Sequence, residues 1–102
     1  MRYYVLDSDG AAQQVGDALE WARWLEQDPT RNVIERTSVG DADVSTVFLG
    51  IDHAFFGGPP LIFETMIFGG EHDQYQQRWT TRAQAQAGHD QVVAALREGR
   101  EP

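Results

Sequence analysis

Cysteine is absent from this chain of 102 residues, and so is lysine. Without thiols there are no disulfides and no thiolate metal ligands, so a core must hold the fold unaided. That fits a reducing compartment. All eight basic side chains are Arg, set against 16 Asp and Glu, for a net charge of -8. No basic patch exists to neutralise phosphates, so direct nucleic-acid binding is not expected. The acids are spread along the chain rather than gathered in a run, which reads as an ordinary solvated surface. The first ten residues, Met1 to Gly10, lack the long apolar stretch of a secretion signal. No segment approaches the roughly 18 apolar residues of a membrane span. The expectation is a protein of the cytoplasm with no membrane partner.

What is present suits one domain, since about 100 residues can bury one core with a modest margin. The expected bounds are 1–98 for the domain and 99–102 for a loose tail. Arg2 to Leu6 reads as a first strand, and Asp7-Ser8-Asp9-Gly10 as a turn. A helix is expected from Asp17 to Gln27: Asp17 is a good N-cap, Glu20 sits three residues on, and Trp21, Ala22 and Leu25 recur at helical spacing. Asp28-Pro29 stops it. Trp21 and Trp24 read as packing residues.

Strands are expected over 32–39, 44–51, 61–68 and 74–80. The second of these carries apolar residues on both faces, which predicts a central strand covered on both sides. Asp52 to Pro60 forms a loop rich in Gly and Pro. Thr81, with Gln84 at the capping-box position, starts a last helix that Gly99 ends. The resulting order is β-α-β-β-β-β-α: an α+β domain with a mostly antiparallel sheet of four to five strands and two helices.

One register can be derived. A hairpin centred on Glu71 sets Phe63 opposite Trp79 and Ile67 opposite Tyr75 on one face, and Glu64 opposite Arg78 on the other. Aromatic and opposite-charge cross-strand pairs each stabilise by roughly 0.2–1 kcal/mol, and a slip of one residue destroys both sets.

Few residues carry chemistry. Asp52-His53 opens a loop at a strand end, where an Asp can orient a His as general base. Glu64 lies among apolar neighbours, which can raise a carboxyl pKa, but pairing with Arg78 accounts for it more simply. An Arg–carboxylate pair on a sheet face can also bind a polar ligand through the planar Arg fork. His89 shares the inward face of the last helix with Ala85, Gly88, Val92 and Leu96. The plain account makes it a core-edge histidine; the sharper one brings it to Glu64 or His53. His, Asp and Glu suit zinc, but no spacing matches a known site, so neither a metal nor a cofactor is expected. No phosphate loop and no Ser-His-Asp or nucleophile-elbow pattern is present.

The runs Val44 to His53 and Gly58 to Gly70, with Arg78-Trp79-Thr80 and Ala87-Gly88-His89, resemble a family of small uncharacterised proteins of bacteriophages and prophages. The resemblance covers about the second half of the chain. It implies a phage accessory protein acting in the bacterial host cytoplasm. By that implication, Asp52, His53, Glu64, Arg78 and His89 are the polar positions that carry the motif, with His72 more peripheral.

Two classes of function follow. The first is a non-enzymatic binding module for a host protein or a small polar ligand. A ligand-sequestering module predicts a pocket lined by Arg78 and aromatics, within one chain or across a homodimer. A protein-binding module predicts an exposed apolar or acidic patch instead. The second class is a small hydrolase-like enzyme with His53, Glu64 and His89 as candidate catalytic residues converging in one pocket. A virion component has no positive feature in its favour.

Overall fold

The computed structural model describes residues 1–54 and 57–102. Phe55 and Phe56, inside the expected Gly- and Pro-rich loop, lie outside the described residues. The chain is an α+β fold of six strands and two helices: β1 (Tyr3–Leu6), β2 (Ala12–Val15), α1 (Ala18–Gln27), β3 (Val33–Val39), β4 (Ala42–Phe48), β5 (Phe63–Phe68), β6 (Gln76–Trp79) and α2 (Arg82–Arg97).

The main sheet has strand order β3-β4-β5-β6, with every pair antiparallel. Its last hairpin has the expected register: Phe63 faces Trp79 and Glu64 faces Arg78. The Ile67 N–H donates to the Tyr75 carbonyl at 3.0 Å, continuing the same pairing. α2 starts at a capping box. The Thr81 hydroxyl accepts the Gln84 N–H at 3.1 Å, and the Gln84 side chain accepts the Thr81 N–H at 3.2 Å.

Two expectations need correction. The first concerns β2, which the sequence reading left out. Ala12-Gln13-Gln14-Val15 has no alternating apolar pattern, and its strand form comes from the turn before it. The Asp7 carboxylate accepts the N–H groups of Asp9 and Ala11 and the amide of Gln13, folding the chain back on β1. This hairpin then docks on the chain beyond β4: the Tyr4 N–H donates to the Gly50 carbonyl at 2.7 Å and the Asp52 N–H to the Arg2 carbonyl at 3.0 Å. Gly50 has φ +75, and a Cβ there would fall 2.8 Å from the Tyr4 carbonyl oxygen, so a side chain does not fit.

The second correction concerns β4. It is internal in the sheet but, among the described residues, a helix covers one face only, and burial alternates along its whole length. Ala42, Val44, Thr46 and Phe48 point at α2 and are buried; Asp43, Ser45 and Val47 point away and are half-buried. This pattern belongs to an antiparallel sheet with one wet side.

The core lies between the sheet and α2. Val44, Ile67, Val92 and Val93 fill one end, and Phe48, Phe63 and Ile62 with Tyr4, Leu6 and Ala85 fill the other. Fully burying each large apolar side chain stabilises by roughly 1.5–3 kcal/mol. Trp24 closes that second end, edge-on to Phe48 at 5.7 Å and under the Arg31 guanidinium at 4.4 Å. α1 has no buried residue of its own. Its N-terminus is nevertheless capped by Asp17, which accepts the Glu20 N–H at 2.9 Å. Among the described residues no helix is long and apolar enough to cross a membrane.

Candidate functional site

His89 on α2 is fully buried against the main sheet, where β3 and β4 supply its polar neighbours and β5 and β6 extend the hydrogen-bonded chain. Its Nε2 lies 2.9 Å from the Thr37 hydroxyl on β3 and 3.3 Å from the Glu35 carboxylate. Its Nδ1 lies 2.8 Å from the Thr46 hydroxyl on β4. Thr46 meets Thr65 of β5 at 2.7 Å, and Thr65 accepts the indole N–H of Trp79 on β6 at 3.1 Å. Thr46 and Thr65 are themselves fully buried, so these bonds replace the water the hydroxyls lost.

Trp can only donate, so Thr65 accepts from Trp79 and keeps its proton and a second lone pair for Thr46. The direction is set at the other end, where the Glu35 carboxylate 3.3 Å from Nε2 favours a proton on that nitrogen. Thr46 then donates to Nδ1 of His89 and accepts from Thr65. A neutral ring then carries its proton on Nε2, aimed at Thr37 and the Glu35 carboxylate. The opposite order would set a bare Nε2 against that carboxylate.

Glu35 reaches the ring because β3 is irregular. Val33 pairs with Val47, but Glu35 pairs with Thr46, a one-residue shift between them. Without the bulge Val33 and Glu35 would share a face. With it, Val33 points away from α2 and Glu35 points under it. Glu35, Thr37, Thr46, Thr65 and Trp79 were all absent from the sequence-derived site. A signal existed for Thr46: it alternates with Val44 and Phe48 on the inward face of β4.

Glu64 and Arg78 sit on the other side of the sheet. Glu64 neighbours Thr65 on β5, so alternation turns it away from His89. The Arg78 Nε donates to the Glu64 carboxylate at 3.1 Å, with the Glu64 side chain 11% exposed and that of Arg78 32% exposed. The shallow groove beside Arg78 is lined by Leu61, Gln76 and Gln77, with no aromatic among the described residues.

Asp52 organises the loop mouth. One carboxylate oxygen accepts the N–H groups of Ala54 at 2.8 Å and Leu61 at 3.1 Å; the other accepts the Arg2 guanidinium. Burial opposes ionisation here, yet the Ala54, Leu61 and Arg2 donors outweigh it and hold the carboxyl below its ordinary value of 3.8. The neighbouring His53 donates its backbone N–H to Leu61 at 3.1 Å. The hydrogen bonds among the described residues leave its ring out.

The five expected positions thus fall in three places: Asp52 and His53 at the loop mouth, Glu64 and Arg78 on the open face, His89 inside the helix–sheet core. His89 and Glu64 are not brought together. His72 lies apart on the β5–β6 turn, 4.0 Å from Glu71. Among the described residues no three His, Asp or Glu side chains gather as a metal-binding group.

The face of the sheet away from α2 has no helix packed against it among the described residues. Val33 and Phe68 lie on it, 47% and 49% exposed, with half-buried Val47 and Met66 between them. Its charges are bound in pairs, Glu64 with Arg78 and Asp43 with Arg36 at 3.4 Å. Comparison with family models, with curated proteins and with solved structures finds no match to this chain.

Proposed function

We propose that this chain is a non-enzymatic binding module, a small accessory protein of phage type that engages a host protein in the bacterial cytoplasm. The observation that carries this reading is the open face of the sheet, where Val33 and Phe68 are exposed, Val47 and Met66 are half-buried, and the Glu64–Arg78 pair shares the surface. Exposed apolar surface rimmed by polar groups is the usual mark of a protein contact. Ligand sequestration has less behind it, because the groove at Arg78 has no aromatic wall among the described residues. The hydrolase-like alternative needs His53, Glu64 and His89 in one pocket. Glu64 and His89 lie on opposite faces of the sheet, and His89 is enclosed.

The test is affinity capture from host lysate with the full chain, read by mass spectrometry for proteins and small molecules. Three baits are compared: wild type, Phe68→Asp on the open face, and Leu19→Asp on α1, where Leu19 is 57% exposed. One protein held by wild type and Leu19→Asp but lost by Phe68→Asp is the expected result. A protein retained equally by all three refutes the assignment of the face. A stoichiometric small molecule in its place refutes the protein-binding reading.

A further inference from the structure

We propose that the cleft between the β1–β2 turn, α1 and the start of α2 binds a small phosphate monoester through Arg31 and Arg82. The cleft is open to solvent and measures about 550 Å³. None of the residues lining it belongs to β3, β4, β5 or β6, so the site is separate from the open face of the sheet.

Unpaired cations single the cleft out. With 16 acidic residues against eight arginines, carboxylate partners are plentiful. Arg2, Arg36, Arg78 and Arg100 each have one: Asp52, Asp43, Glu64 and Glu98. Among the described residues the other four arginines form no ion pair. Arg23 and Arg97 are exposed, where water serves them. Arg31 and Arg82 are half-buried, and both line this cleft. A guanidinium partly removed from water loses hydration that a facing anion can replace.

Both guanidinium groups are positioned in advance. Arg31 lies over the Trp24 ring at 4.4 Å. Its Nη1 donates to the Trp24 carbonyl at 3.1 Å and to Gln27 at 3.4 Å, so the Nε and Nη2 hydrogens are left over. The Arg82 guanidinium lies against Gly10 of the turn, where a Cβ would fall 2.7 Å from its Nη1. Trp24 lines the same cleft, and its buried indole N–H has no partner among the described residues. Nearby acids are committed elsewhere: Asp7 accepts from Asp9, Ala11 and Gln13, and Asp28 accepts from Thr30.

Charge and shape give the class of ligand. A phosphate monoester carries about −1.5 to −2 near pH 7 and has three accepting oxygens, enough for both arginines. A carboxylate has one charge and two oxygens, which suit a single arginine. A nucleic-acid backbone needs a run of cations, and this cleft has two. Asp9 adds one negative charge to the lining, which favours a single phosphoryl group over a polyphosphate. The volume falls within the roughly 300–1,000 Å³ of small-molecule sites, so an organic group fits beside the phosphate. Ser8 and Asp9 suit the hydroxyl groups of such a remainder.

Nuclear magnetic resonance titration of the isotope-labelled full chain tests this, with ribose 5-phosphate, inorganic phosphate and ribose as solutes. Ribose 5-phosphate should give saturable shifts centred on the β1–β2 turn, the Trp24 indole N–H and the Arg31 and Arg82 side chains. Inorganic phosphate should move the same signals with equal or weaker affinity, and ribose should not. Added sodium chloride should weaken the binding. Arg82→Gln should lower the affinity roughly tenfold or more, because charge-assisted hydrogen bonds are lost. Arg97→Gln changes the net charge equally and should leave the affinity unchanged. The wild-type shift map needs no variant.

No saturable shift with ribose 5-phosphate overturns the proposal, and so do shifts centred on another surface. Equal weakening by Arg82→Gln and Arg97→Gln reduces the effect to overall charge and overturns the site. Tighter binding of inorganic phosphate than of the ester overturns the ligand class. Phe68→Asp should bind ribose 5-phosphate as wild type does, so the failure of this site leaves the host-protein reading standing, and the reverse.

Discussion

Gly88→Ala sets two effects of opposite sign against each other. In an open helix, alanine in place of glycine stabilises by about 1 kcal/mol. At this site the new methyl would fall 2.6 Å from Cη2 and 2.7 Å from Cε2 of Trp79. α2 cannot simply retreat, because Ala85, His89 and Val92 on the same side are at most 4% exposed. The indole must move, which stretches or breaks its bond to Thr65, at a cost of about 1 kcal/mol. Strain from the extra carbon adds roughly 1–3 kcal/mol. After subtracting the helix gain, the variant should be about 1–3 kcal/mol less stable than wild type. Urea unfolding followed by circular dichroism measures this directly. A double-mutant cycle isolates the cause: in a Trp79→Ala background the methyl has room, and Gly88→Ala should then stabilise by up to about 1 kcal/mol. A variant at least as stable as wild type, or a change of equal size in both backgrounds, would refute the reasoning.

Three further outcomes follow from the polar sites. Asp52→Asn should cost roughly 1.5–3 kcal/mol at neutral pH through weakened charge-assisted bonds. The folded carboxyl titrates below 3.8, so its contribution is complete above that value and lost as pH falls through the folded pKa. The gap between wild type and variant, measured by urea unfolding at several pH values, should therefore shrink at acid pH; a constant gap contradicts the assignment. For His89, nitrogen chemical shifts near neutral pH should report the Nε2–H tautomer, and an Nδ1–H ring would reverse the inferred bond order. Arg78→Leu should destabilise by roughly 1–2 kcal/mol by leaving Glu64 nearly buried without its partner, whereas Glu64→Leu with Arg78→Leu should be near neutral. Both are measured by urea unfolding, and a double variant worse than the single one would refute this account.

Much of the main sheet was legible from residue types alone, because its side chains constrain one another across strands. Phe63 with Trp79 and Glu64 with Arg78 satisfy a single register, and the structure has that register. Helix ends were legible for a similar reason: Asp17 and Thr81 are chemically suited to the N–H groups they receive. β2 was not legible, since Gln13 and Gln14 are exposed on both sides and the strand depends on the Asp7 turn. The covering of β4 was misjudged because Val47 is as apolar as a core residue yet lies on the face α2 does not reach. The surroundings of His89 were hidden for a different reason. Buried threonines resemble solvent-facing ones in sequence, and a bulge that reverses one side chain leaves no trace in composition.

The order of strands in the main sheet equals their order along the chain. Every pairing in it therefore joins strands consecutive in the chain, the first across only Gly40 and Asp41. Low sequence separation between partners lowers the entropy lost before contacts form, and such topologies reach their transition states quickly. The β1–β2 hairpin is the exception, since Tyr4 must find Gly50. Its docking would then be a late event, and the first to reverse, so the amino-terminal third should exchange its amide hydrogens well before the rest of the molecule opens.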